Sequence, residues 1–139
     1  MAGYELLDHP ADLRLRLRGD TPEAIFALAA RALFEQLIEN LAALTPEFTS
    51  RLEVTAPNHG ELLVEWLNEL LYRLEVKGEV HAWPGAIELG EGRLRCESAY
   101  LPLERCAGSL SGEIKSATYH ALRFEPEGDG WVAEITLDT

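Results

Sequence analysis

Asp12-Leu13-Arg14-Leu15-Arg16-Leu17-Arg18, followed by Gly19-Asp20-Thr21-Pro22-Glu23, contains the change of period on which the fold depends. Through residue 18 the chain alternates strictly, with Leu13, Leu15 and Leu17 on one side and Arg14, Arg16 and Arg18 on the other. A period of two belongs to a strand with one face buried and one face wet. Asp12 shares the arginine face. Gly19-Asp20 then turns the chain, and the period changes. Thr21 can cap a helix, Pro22 suits its first position, and Glu23 complements the positive end of its dipole. Ile25, Leu28, Ala29, Ala32, Leu33 and Ile38 follow as an apolar stripe at helical spacing, which Asn40 is expected to end.

Working outward, Tyr4 to Leu7 reads as a short strand closing in the turn-like Asp8-His9-Pro10, and Arg51 to Ala56 as another with Leu52, Val54 and Ala56 inward. Asn58 and Glu61 form a capping-box-like pair at the head of a second helix, which Gly78 stops. Leu63, Trp66, Leu67, Leu70, Leu71 and Leu74 make its buried stripe, with Glu61, Glu65 and Glu69 outside. From Glu79 onward the pattern is β, with strands expected at Val80 to Trp83, Ala86 to Leu89, Arg93 to Tyr100, Glu113 to Phe124 and Trp131 to Leu137. Pro84-Gly85, Gly90-Glu91-Gly92, a stretch from Pro102 to Gly112 and Gly128-Asp129-Gly130 punctuate them. Two strands, a helix, a strand, a helix and then hairpin-linked strands argue for an α+β fold. Its sheet should be mixed but largely antiparallel, with two main helices packed against it. No repeat or linker divides the chain, so residues 1–139 read as a single domain.

Hydrophobic residues make up 47% of the chain and charged ones 26%, a globular composition. Against 12 Lys and Arg stand 24 Asp and Glu, a formal net charge of −12. Such a surface repels phosphate backbones, so direct nucleic-acid binding is not expected. It suits a cation or a basic protein partner, or serves only to keep the chain soluble. No apolar stretch reaches the ~20 residues of a membrane span, and Met1 to Pro10 lacks the regions of a signal peptide. Cys96 and Cys106 have neither zinc-site nor disulfide-framework spacing and read as buried or incidental thiols. A cytoplasmic location, with no membrane contact, is the expectation.

Signatures of autonomous catalysis are missing: there is no GxSxG elbow, no P-loop and no GxGxxG after a strand. Ser98 has no local signature of a nucleophile, and no catalytic residue is assigned. Three segments can carry other chemistry. In Asp8-His9-Pro10-Ala11-Asp12, two carboxylates and an imidazole span a turn into a strand. They could give oxygen ligands to a hard cation such as Ca²⁺ or Mg²⁺. Equally, Asp8 could form an Asx turn and Asp12 could pair with Arg14 or Arg16. In Leu137-Asp138-Thr139, Asp138 falls on the polar face, one residue from the α-carboxylate of Thr139. Bringing these near Asp12 would concentrate about three negative charges, a costly arrangement without a cation; the other reading is a frayed tail. The third segment, Glu113 to Leu122, carries Lys115, Thr118, Tyr119 and His120, and could line a site, meet a partner or form an exposed sheet face.

These segments, in this order, resemble the archease family. The family's Tyr-Glu-x-Leu-Asp-His-Thr-Ala-Asp opening is matched by Tyr4 to Asp12, with Pro10 in place of the usual Thr. Leu62 to Leu71 matches a Leu-Leu-x-x-Trp-Leu-Asn-Glu-Leu-Leu motif, and Ile114 to His120 a Val-Lys-Ala-x-Thr-Tyr-His motif. Asp138-Thr139 corresponds to a closing Asp-Ile, with Thr139 replacing Ile. Tyr100 to Gly108 departs from the family's Gly-Glu and Arg-His pattern in that stretch.

The resemblance implies a non-enzymatic accessory protein of α+β fold. Its partner would be the GTP-dependent RNA-splicing ligase that joins cyclic-phosphate and 5′-hydroxyl ends. Such a protein promotes the ligase's guanylylation and multiple turnover in tRNA splicing or RNA repair. The resemblance also implies a divalent ion, Ca²⁺ first and Mg²⁺ or Mn²⁺ as alternatives, on Asp12, Asp138 and Thr139. Lys115 is a further functional candidate by this resemblance, and Asp8 and His9 belong to the same opening motif. An alternative is a metal-independent, chaperone-like modulator of an RNA-modification enzyme such as a tRNA methyltransferase. A third reading, an enzyme using the carboxylates as acid and base, lacks nucleophile and cofactor motifs.

Overall fold

In a computed structural model, residues 2–7, 12–106, 110 and 112–139 are described. The alternating stretch is strand β2 (Leu13–Gly19), paired antiparallel with β1 (Gly3–Leu7) on one side and β7 (Gly130–Asp138) on the other. The last strand but one, β6 (Ser116–Glu127), joins β7 in a hairpin, giving a four-stranded sheet of order β1-β2-β7-β6. A second sheet of three strands has the order β3-β5-β4, with β3 at Phe48–Thr55, β4 at Glu79–Gly90 and β5 at Arg93–Pro102. Every strand pairing is antiparallel, as the hairpin-like links suggest, and the strands divide into two sheets.

Both helices start as their capping residues dictate. Helix α1 (Pro22–Glu35) begins where the Thr21 hydroxyl accepts a hydrogen bond from the Ala24 N–H at 3.1 Å. Helix α2 (His59–Lys77) begins where the Asn58 side chain accepts from the Glu61 N–H at 2.9 Å. It ends at Gly78, whose φ of 66° lets its N–H reach the Leu74 carbonyl. Helix α1 packs on β4 and β2, and α2 on β6, β4 and β3, so the two helices join the sheets through one core. Trp66, fully buried, donates its indole N–H to the Phe26 carbonyl at 3.0 Å and ties α2 to α1.

Several boundaries differ from expectation, among them the start of β3, at Phe48 rather than Arg51. Helix α1 stops at Glu35 rather than Asn40, because its last turn tightens: Gln36 and Leu37 donate to the carbonyls of Leu33 and Phe34. Asn40 is left-handed at φ 59° and opens a short 3-10 turn, Leu41–Ala43. Pro84-Gly85 does not divide two strands but lies inside β4, at one of two register shifts. The edge position of β4 tolerates a proline. Gly85 permits the close approach to β5, since a Cβ there would lie 2.6 Å from the Glu97 carbonyl oxygen. Finally, β6 starts at Ser116 rather than Glu113 and runs past Phe124 to Glu127. No helix among the described residues is long and apolar enough to cross a membrane.

Candidate functional site

The site follows from strand register. On β2 and β7 the leucine face is buried, with Leu13, Leu15 and Leu17 opposite Leu137, Ile135 and Ala133. The opposite face pairs Arg14 with Thr136, Arg16 with Glu134 and Arg18 with Val132. The ladder ends at Leu13↔Leu137, so Asp12 and Asp138 each lie one residue beyond the last pair, at the same end of the two strands. On the other side of β7, Ser116 faces Asp138, and the Lys115 N–H donates to the Asp138 carbonyl at 2.8 Å. Segments near residues 12, 115 and 138 therefore meet at one end of the four-stranded sheet. Asp138, Thr139 and Lys115 are exposed, and Asp12 is half-buried. Asp8 and His9 lie outside the described residues.

Beside this end the sheet face is held by an ion-pair network. Arg14 donates to Thr136 Oγ1 at 2.6 Å, to Glu134 at 3.0 Å and to the Ala121 carbonyl at 2.8 Å. Arg16 donates to Glu134 at 2.8 Å and to Glu5 at 3.1 Å. Arg18 bonds Glu5 and Glu127, and Arg123 reaches Glu134 from β6. The hydrogen bond from Arg16 holds the Glu134 carboxyl below the usual range, with Arg14 adding to the effect. The arginines are thus occupied along β7, which leaves the carboxylate end at the margin of a charge-balanced face.

Two positioning contacts escaped sequence reasoning. The Asn68 side chain accepts from the Ala117 N–H at 2.8 Å and donates to the Ala117 carbonyl at 3.2 Å. It acts as one more strand residue beside β6, just after Lys115. The only sequence signal was a polar residue between Leu67 and Leu70 on an otherwise apolar helix side. Thr136, buried on β7, receives Arg14 and donates to the His120 carbonyl at 3.1 Å. Lys115 also borders a pocket of about 370 Å³ walled by Leu37, Leu71, Leu74, Leu103 and Ile114.

For a divalent ion, the donors are right in kind: carboxylate and backbone oxygens suit a hard cation. The described residues give two carboxylates, Asp12 and Asp138, and among them no group of three His, Cys, Asp or Glu that could hold a metal. Further oxygens would come from Thr139, from backbone carbonyls or from water.

Elsewhere, Ser98 has a histidine partner, yet the pair is sealed. His81 Nδ1 lies 2.9 Å from Ser98 Oγ and Nε2 lies 2.8 Å from Glu79, with His81 and Ser98 both inaccessible to solvent. Burial pushes His81 below its ordinary pKa, and the row bridges β4 and β5 with neither the ring nor the Ser98 hydroxyl open to solvent. Cys96 and Cys106 are free and buried, and burial pushes the Cys96 thiol up to about 11.

The sequence profile of the archease protein family matches residues 4–139. An archease of Methanopyrus kandleri is 35% identical over 97% of this chain and 98% of its own length. One of Methanosarcina mazei is 33% identical over 97% and 94%. Among solved structures, protein 1598 of Methanobacterium thermoautotrophicum superposes with a TM-score of 0.77 at 26% identity, covering both chains completely. A Thermotoga maritima archease, described as a possible chaperone, shares the fold with a TM-score of 0.68 at 20% identity, over 97% of this chain and 96% of that one. With its motifs and fold both accounted for, the chain belongs to the archease family, whose members are non-catalytic accessory proteins.

Proposed function

We propose that the chain activates the GTP-dependent RNA-splicing ligase by presenting to it the sheet end that carries Asp12, Lys115, Asp138 and Thr139. Family membership supports a general role linked to RNA-ligase activation. The finer reading is that the chain promotes guanylylation and multiple turnover of the ligase in tRNA splicing or RNA repair. That reading comes from the family resemblance, and the choice of this sheet end is supported by one observation: the antiparallel register of β2 on β7, which runs Asp12 and Asp138 to the same end.

Two carboxylates on adjacent strands repel unless a cation lies between them. Asp12, Asp138 and an oxygen of Thr139 would hold a divalent ion, Ca²⁺ or else Mg²⁺ or Mn²⁺. When bound, such an ion supplies positive charge to phosphate oxygens. Asn68 and the Asp138 carbonyl hold the backbone around Lys115, whose ammonium can neutralise the cluster or meet a phosphate. The acidic balance, −12, favours contact with a basic protein surface over direct contact with RNA. Two buried free thiols agree with a cytoplasmic setting.

The test is guanylylation of the purified ligase with and without the chain, alongside calorimetric titration of Ca²⁺, Mg²⁺ and Mn²⁺ into the metal-stripped chain. Stimulation together with saturable binding that Asp12→Ala abolishes supports the reading. Stimulation without metal binding would move the assignment to a metal-independent modulator, and no stimulation would remove the ligase.

A further inference from the structure

Strand β6 breaks its ladder at one place. Thr118 pairs with Thr136 and Arg123 with Glu134, so Tyr119, His120, Ala121 and Leu122 all stand opposite Ile135. The excursion is built rather than loose. Arg14 donates to the Ala121 carbonyl, Thr136 to the His120 carbonyl, and the Thr118 hydroxyl accepts from the His120 N–H at 3.4 Å. Leu122 lies over Gly60, where a Cβ would come 3.2 Å from its Cδ2. Ala121 is held left-handed at φ 50°, a conformation that costs an alanine energy. Tyr119, His120 and Ala121 are all exposed, while Leu122 packs back against the core. The excursion is thus anchored through Leu122 and turns Tyr119 and His120 out to solvent.

That surface is an aromatic ring on an acidic ridge. Tyr119 is 54% exposed, and its hydroxyl donates to Glu65 of α2 at 3.0 Å. Glu61, one turn earlier, bonds to Asn58, so neither Glu61 nor Glu65 meets a cation among the described residues. The neighbouring sheet face differs, because Arg14, Arg16, Arg18 and Arg123 there already have Glu5, Glu127 and Glu134 as partners. Compared with that face, the Glu61 and Glu65 side of α2 carries negative charge with no ion pair among the described residues, beside the bulge and a short way along β6 from Lys115.

From this juxtaposition we infer that Tyr119, Glu61 and Glu65 form a docking ledge for a basic segment of the ligase, an Arg or Lys side chain seated on the Tyr119 ring between the two carboxylates. The inference rests on the ligase reading above and adds a second contact to the sheet end. Charge complementarity selects the occupant. An enzyme that joins RNA ends carries cationic surface around its active site to hold phosphates, and an acidic ledge with an exposed aromatic fits such a rim.

The experiment measures affinity of the full chain for the purified ligase at low and high salt, for wild type, Tyr119→Ala and the double variant Glu61→Gln, Glu65→Gln, with Ca²⁺ titration and circular dichroism of each chain. Expected are losses of about tenfold in ligase affinity for both variants and a shallower salt dependence for the double variant, with Ca²⁺ binding as in wild type. Wild-type affinity in folded variants would overturn the ledge while leaving the ligase reading intact. No binding of the wild-type chain would overturn the ligase reading and the ledge with it. Should the double variant unfold, Tyr119→Ala and a Glu65→Lys charge reversal, which should lose more than the neutral variant, decide the matter by the same criteria.

Discussion

The amide of Asn68 meets both backbone groups of Ala117, so a helix side chain completes the edge of β6 just after Lys115. Replacing it with alanine removes two hydrogen bonds and leaves a half-buried edge unmet. Asn68→Ala should cost about 1–3 kcal/mol in urea unfolding and lower ligase stimulation, because the backbone carrying Lys115 loses its anchor. Unchanged stability and stimulation would show that the contact holds nothing. His81 offers a second check. Burial depresses its pKa, so below its ordinary value of 6.5 the unfolded chain binds a proton that the folded chain resists. Its stabilising contribution is full above that value and is lost as pH falls toward the lowered folded pKa. Thermal unfolding between about pH 7.5 and 5.5 should show stability falling with acid, and His81→Gln should flatten that part of the slope. At this scale the sequence was informative about residue types. Asp12, Asp138 and Lys115 stood out, and the family motifs linked them. Asn68 and Thr136 did not, because their roles depend on which strand lies beside them.

Helix starts were legible because the capping chemistry is local: Thr21 and Asn58 each bond a backbone N–H three residues on. The end of α2 at Gly78 was legible too, but that of α1 was not, since its tightened last turn is set by packing around Phe34 and Ile38, both buried. Pro84-Gly85 misled for a related reason, as proline is excluded from central strands and β4 is an edge. The excursion at Tyr119–Leu122 was invisible in a pattern that reads as one strand. Ala121→Gly tests its strain: relieving a left-handed alanine should raise stability by roughly 0.5–1 kcal/mol in urea unfolding. A loss would mean that Ala121 is held without cost. Trp66→Ala tests the join between helices. It opens a cavity and strips the Phe26 carbonyl of its donor, with an expected loss of about 3–5 kcal/mol.

For the whole molecule, the order of elements was sufficient to indicate an α+β chain with antiparallel hairpins. The division into two sheets was not legible, because alternation tells which face is buried and not which strand is the neighbour. The same limit kept Asp12 and Asp138 apart until β2 was seen against β7. Net charge belongs to this scale as well. With −12 on the chain, its affinity for a basic partner should fall steeply with added salt, while its own unfolding should change little. The most direct trial of the central claim is ligase guanylylation with wild type, Asp12→Ala, Asp138→Ala and Lys115→Ala, each confirmed folded. Strong stimulation by wild type and its near-complete loss in both aspartate variants are expected, with Lys115→Ala also impaired. Full stimulation by both aspartate variants would contradict that claim.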